Sequence, residues 1–177
     1  MNPILHTLQE EKEMGYKGGL YHKTQILMAY NTNRIEGSHL TEDQTRSIFE
    51  TNTIFANGDE AIKVDDIVET QNHFRAFDYM LDHAEEDLSE GIIKTFHQIL
   101  KQGTSDSQKS WFNVGDYKKL PNEAGMLETS EPEKVSQSMQ HLLSDYLTKP
   151  SIKIEDIIDF HARFEKIHPF QDGNGRV

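Results

Sequence analysis

Residues 168–176 read His168-Pro169-Phe170-Gln171-Asp172-Gly173-Asn174-Gly175-Arg176. Proline lacks an N–H and disfavours helix at the residue before it, so a preceding helix should end near His168. That leaves an imidazole at a helix-to-loop junction, where its neutral form can take a proton from a hydroxyl. Phe170 is the expected apolar anchor of the loop. Asp172 is a hard oxygen ligand of the kind that suits Mg²⁺ bridging phosphates. Gly173 and Gly175 flank Asn174 and permit positive φ, so that backbone N–H groups can converge on an anion. Arg176 can clamp a phosphate through two hydrogen bonds. A base, a cation ligand, an anion nest and a guanidinium within nine residues are the parts that phosphoryl-type transfer needs close together. Spacing alone leaves a second reading open: a plain Gly-Asn-Gly turn beside a helix-capping histidine.

Outward from this loop the chain reads as mostly helical. Ile154 to Ile167 closes the helical set, with Ile157, Ile158, His161, Phe164 and His168 along one side. Ser130-Glu131-Pro132-Glu133 reads as a capping box opening a helix to about Leu147, with Pro150 beyond it. Ser89 to Leu100 places Ile92, Ile93, Phe96, Ile99 and Leu100 inward. Asp65 to Ala84 gives the longest candidate, with Ile67, Phe74, Phe77, Met80 and Leu81 on one face. Thr41-Glu42-Asp43-Gln44 is another capping box, with a helix to about Phe49. Leu20 to Glu36 forms a helix that Gly37 stops. One stretch breaks the period. Trp111 to Leu127 contains Gly115, Pro121, Asn122 and Gly125 and suits a short β-hairpin or an extended loop. His161 is expected to be a hydrogen-bonded core residue or a support for the site, and His97 a structural one. The acidic groups Asp65-Asp66 and Glu85-Glu86-Asp87 read as a helix start and a solvated helix end.

The chain has 177 residues, 35% of them hydrophobic and 27% charged, with a formal net charge of -12 and no cysteine. Cysteine-based metal sites and disulfides are excluded. The acidic balance argues against a nucleic-acid partner, while a nucleotide needs only a local cluster of donors. No apolar run approaches the ~20 residues of a membrane helix. No export signal is evident, so a cytoplasmic location is the default expectation.

With these residues in view, the sequence resembles the Fic family, whose motif is His-x-Phe-x-Asp/Glu-Gly-Asn-Gly-Arg-x-x-Arg. His168 through Arg176 match it without substitution. The resemblance implies a single Fic domain over 1–177, all-α and mainly helical, with a short β-hairpin flap. It implies transfer of AMP from ATP to a Ser, Thr or Tyr hydroxyl of a target protein, possibly of the chain itself. His168 would be the base, Asp172 would hold Mg²⁺, and Gly173, Asn174, Gly175 and Arg176 would bind the nucleotide's phosphates. Thr32-Asn33-Arg34-Ile35-Glu36-Gly37 resembles the family's inhibitory motif Ser/Thr-x-x-x-Glu-Gly/Asn. Thr32, Glu36 and Gly37 would then belong to an inhibitory helix spanning about 20–37. Its glutamate pairs with the motif's second arginine, displacing the γ-phosphate. That arginine would fall two residues beyond Val177, so the sequence is expected to be part of a longer enzyme and to lack the family fold's C-terminal portion. Trp111–Leu127 resembles the target-docking flap, with Tyr117, Lys118 and Leu120 as its candidate residues. The alternatives are a catalytically inactive scaffold that only binds a protein, and transfer of another phosphate-containing group.

Overall fold

The computed structural model describes residues 2–56, 58, 61–124 and 127–177. Its first helix, α1 (Pro3–Met14), was not among those expected from the sequence. Its start is nevertheless written in Asn2-Pro3: the Asn2 side chain accepts the Ile4 N–H, and Pro3 fills the first turn, where no amide donor is required. Helix α2 (Leu20–Ile35) ends where Gly37 takes φ 93°. Helix α3 (Glu42–Thr51) carries the expected reciprocal cap between Thr41 and Gln44. Helix α4 (Val64–Asp82) follows. These four helices pack within one compact unit, Met1–Glu86. Its core holds Ala29, Leu40, Ile48 and Phe74 in one cluster and Leu8, Phe77 and Leu81 in another.

A second unit spans Asp87–Val177. It contains α5 (Glu90–Lys101), α6 (Pro132–Leu147) and α7 (Ile154–Ile167). Ser89 caps α5 by accepting the Ile92 N–H. The cap expected at Ser130 is absent. Glu131 is the residue before α6, without a side-chain cap bond, and Pro132 opens the helix with its preset φ. The Ser130 N–H instead donates to the Ile167 carbonyl. One core cluster joins Ile93 of α5, Val135, Met139, Leu142 and Leu143 of α6, Phe164 and Ile167 of α7, and the loop residues Tyr117 and Phe170.

The fold is all-α, with seven α-helices among the described residues. Among the described residues of Trp111–Leu127, the expected hairpin is not formed. Residues 111–122 run through turns and extended backbone. Among the described residues, pairing is confined to an antiparallel ladder of two residues a side, β1 (Glu123–Ala124) with β2 (Leu127–Glu128). Gly125, counted among this stretch's turn residues, lies outside the described residues. The side of α7 that Ile157, Ile158, His161 and Phe164 share is only partly buried. Ile157 and Ile158 are 49% and 61% exposed, and the buried residues are Phe164 and Ile167. Among the described residues, no helix is long and apolar enough to cross a membrane.

These burials predict a sharp contrast in urea unfolding. Met139→Ala, at a fully buried position, should cost about 2–5 kcal/mol. Ile158→Ala should cost less than about 0.5 kcal/mol.

Candidate active site

The loop after α7 begins in a left-handed turn. His168 takes φ 50° and ψ 63°, while its N–H still donates to the Phe164 carbonyl at 2.9 Å. This conformation costs a non-glycine residue about 1–2 kcal/mol, so the surroundings must impose it. They do so through the main chain that follows. The Pro169 carbonyl accepts the Lys118 N–H at 2.9 Å. The Phe170 carbonyl accepts from Asn122 Nδ2 at 2.8 Å and from Asn174 Nδ2 at 2.9 Å. The Phe170 N–H donates to Asn174 Oδ1 at 2.8 Å. Asn174 is buried, and its carboxamide closes the loop on itself. Of the residues expected to cradle phosphates, Asn174 therefore directs its side chain to the loop's own main chain. Gly173, at φ 79°, is buried, and exposed Gly175 leaves backbone at the surface.

Phe170 is the expected anchor. It is fully buried, with its ring stacked on the His97 imidazole at a centroid distance of 4.0 Å and an interplanar angle of 4°. His97 Nδ1 accepts the Gly115 N–H at 2.9 Å, which leaves Nε2 to carry the proton toward the Asp172 carbonyl at 3.2 Å. Burial is the main cause that pushes this imidazole down to about 4. His97 thus joins the start of the 115–122 loop to the middle of the motif as a neutral side chain. The structural role expected for it holds. His161, by contrast, is exposed rather than a core residue; it lines an apolar cavity with Leu88, Phe96, Phe160 and Val177.

His168 is half-buried, with Nδ1 3.8 Å from Glu165 Oε2. Burial holds its protonation below the ordinary range. The Glu165 charge opposes this, and the Lys118 charge reinforces it. The imidazole is accordingly neutral near pH 7 and able to accept a proton. The Asp172 carboxylate lies nearby in sequence with its side chain 44% exposed. Burial raises its protonation, but the charge and hydrogen bond of Lys101, with Arg176, outweigh this and keep it ionised. Lys101 Nζ is 2.7 Å from Asp172 Oδ2, and Arg176 Nη2 is 3.5 Å from the same oxygen. Lys101 and Arg176, their side chains 1% and 2% exposed, thus flank the Asp172 carboxylate from the protein side, with the short helical turn Asn174–Arg176 at the loop's end.

Lys101, Asn122 and Glu165 were not among the residues expected at the site. For Lys101 a signal existed. Ile93, His97, Leu100 and Lys101 fall at i, i+4, i+7 and i+8, one face of α5, and all four are buried. Asn122 gave no comparable signal, since its partners are main-chain atoms distant in sequence. The flap candidates divide. Tyr117 and Lys118 are buried, with Lys118 Nζ donating to Asn122 Oδ1 at 2.6 Å and Thr129 Oγ1 at 2.8 Å. Leu120 is 45% exposed, and its N–H and C=O both pair with the Gln171 carboxamide, at 3.2 and 3.3 Å. At the other motif, Glu36 and Gly37 are exposed at the end of α2 and Thr32 is half-buried in its last turn, while Asn33 is buried and donates to Thr70 Oγ1.

Among the described residues, no group of three or more His, Asp or Glu converges as a metal cage. A single carboxylate nonetheless fits Mg²⁺, which is commonly held by one or two carboxylates together with substrate phosphates.

A model of the Fic/DOC family matches residues 87–177, the extent of the second unit. Among solved structures, the chain is similar to a Fic domain containing signaling protein from Bacteroides thetaiotaomicron, at 25% identity and a TM-score of 0.74, covering 98% of this chain and 68% of that one. It is similar in fold to a Fic family protein from Desulfovibrio desulfuricans, at 21% identity and a TM-score of 0.68, covering 99% of this chain and 55% of that one. Fic-1 from C. elegans matches at 21% identity and a TM-score of 0.71, covering 98% of this chain and 53% of that one. The chain spans little more than half the length of these last two. No curated protein matches it.

The His97 geometry predicts an acid-sensitive loop. Unfolded imidazole titrates near 6.5, whereas folded His97 resists protonation until about 4. Between those values the unfolded chain binds more protons, so stability should fall as pH falls, by up to about 3 kcal/mol. His97→Leu should be less stable at pH 7, because Gly115 N–H and the Asp172 carbonyl lose their partner, but should show a flatter decline between pH 6.5 and 4 in urea unfolding. An unchanged slope would assign the acid sensitivity to another group.

Proposed function

The chain belongs to the Fic/DOC family, and on that premise we propose that it is a protein adenylyltransferase, held inactive at rest by Glu36. The observation that carries this reading is the neutral His168 imidazole on the same braced loop as an ionised Asp172 and Arg176. His168 takes the proton from a target Ser, Thr or Tyr hydroxyl. The hydroxyl oxygen attacks the α-phosphorus of ATP, the bond to the β-phosphate bridging oxygen breaks, and pyrophosphate leaves. With Nδ1 turned toward Glu165, Nε2 is the nitrogen that accepts the proton. Exposed Gly175 offers backbone to phosphate oxygens, Gly173 at φ 79° shapes the turn, and Arg176, its side chain 2% exposed, supplies the guanidinium behind them. Mg²⁺, held by Asp172 with those phosphates, would supply charge neutralisation for the leaving group. Asn174 acts on the nucleotide indirectly, by fixing the turn.

The position of Glu36 just past the end of α2, exposed beside a positive-φ Gly37, supports a carboxylate that reaches outward to an arginine. Target docking would use the 115–128 loop and ladder, where exposed Leu120 and the β1–β2 pair offer an edge for strand addition. The phosphate-directed groups carry no information about the nucleoside base, so the substrate is named by its triphosphate and leaving group.

Incubation of the full-length protein with α-labelled ATP tests this reading. Glu36→Gly should raise transfer of label to protein severalfold. His168→Ala should lower it by about 10²-fold or more. No labelling by the Glu36→Gly protein, with any nucleoside triphosphate, would overturn it.

A further inference from the structure

The Lys101 ammonium is the least expected charge in the second unit. It sits at the last turn of α5, 1% exposed, in a region where lysine normally extends to water. Its stem is held against the loop: a Cβ on Gly173 would lie 3.5 Å from Lys101 Cδ. Its head reaches Asp172 Oδ2 at 2.7 Å and Asp106 Oδ2 at 3.7 Å, with the Phe112 ring centroid 5.7 Å away. The Arg176 guanidinium approaches the same Asp172 oxygen. Two cations thus already attend the one motif carboxylate that could hold a divalent ion.

We propose that Lys101 is a positioning residue that makes cation binding at Asp172 conditional on the nucleotide's phosphates; this rests on the nucleotidyl-transfer reading above. A divalent cation approaching alone meets a carboxylate already neutralised and a buried ammonium that cannot withdraw. Like-charge repulsion across such short distances outweighs what one half-exposed carboxylate offers. A triphosphate changes the sign of the balance. Its oxygens are attracted by Lys101 and Arg176 without any metal, and once present they supply the remaining ligands. The cation then enters as part of the nucleotide complex. Lys101 also fixes the carboxylate on its Oδ2 side, which restricts how Asp172 can turn toward that complex.

Mn²⁺ binding to the protein, followed by electron paramagnetic resonance with and without ATP, tests this. Wild type should bind Mn²⁺ strongly only with ATP, and should retain ATP binding in excess chelator. Lys101→Met keeps most of the buried stem and removes the charge. With its fold checked by circular dichroism, it should bind Mn²⁺ without nucleotide at least about tenfold more tightly than wild type. That gain should vanish in Lys101→Met/Asp172→Ala. Metal-free ATP binding should weaken severalfold in Lys101→Met. No gain in nucleotide-free Mn²⁺ affinity overturns the proposal. Should Lys101→Met not fold, wild type decides it: tight nucleotide-free Mn²⁺ binding that Asp172→Ala removes overturns it, and its absence beside strong Mn²⁺–ATP binding supports it. Either of those overturning results leaves the transferase reading standing, whereas failure to bind ATP under any condition sinks both.

Discussion

The stacking of Phe170 on His97 sets the position of every charged group in the loop. The two rings lie 4.0 Å apart and nearly parallel, at full burial, inside the cluster formed by α5, α6 and α7. Phe170 cannot shift without opening that core, so the main chain on either side is fixed to within the tolerance of packing. His168 precedes it by two residues and Asp172 follows by two. The Asn174 carboxamide, bonded to both the N–H and C=O of Phe170, converts this fixed point into a fixed turn. Catalytic loops need this arrangement, in which apolar burial supplies rigidity and polar groups are displayed from it.

The acidic chain carries a locally balanced site. A formal net charge of -12 repels anions at long range, but screening limits that repulsion to roughly a Debye length of ~8–10 Å. Within the loop, Lys101 and Arg176 face Asp172, and Lys118 lies close enough to His168 to disfavour its protonation. The same cations that favour a phosphate also keep the base neutral. On the transferase reading, anion binding and proton abstraction would therefore be consequences of one charge arrangement, made effective by the partial burial of His168 and Asp172.

Much of this was legible because it is local. The cap at Thr41 and Gln44, the stop at Gly37, the helix end before Pro169 and the burial of Phe170 all follow from residues a few positions apart. Errors arose where a distant partner decided the outcome. Ser130 gives its N–H to Ile167 rather than opening a capping box. The main-chain groups of Lys118 and Leu120 bond to Pro169 and Gln171, and the Asn122 side chain to Phe170, rather than closing a ladder within 115–122. A hairpin reading presumes that a turn-rich segment satisfies its own main chain. Here the 168–176 loop satisfies much of it.

That exchange of main-chain bonds bears on how a target could be received. Gln171 presents its carboxamide to both the N–H and the C=O of Leu120, as a peptide group on an adjoining strand would. The pairing ties the exposed edge at Leu120 to the residue next to Asp172. An extended target segment seated at this edge would either lie alongside the Gln171 amide or displace it. In both cases the target's main chain would be registered against the motif loop itself, and its hydroxyl placed relative to His168 without any demand on its side-chain sequence. A scaffold of this kind selects for extended backbone first, and its specificity must come from contacts farther from the loop.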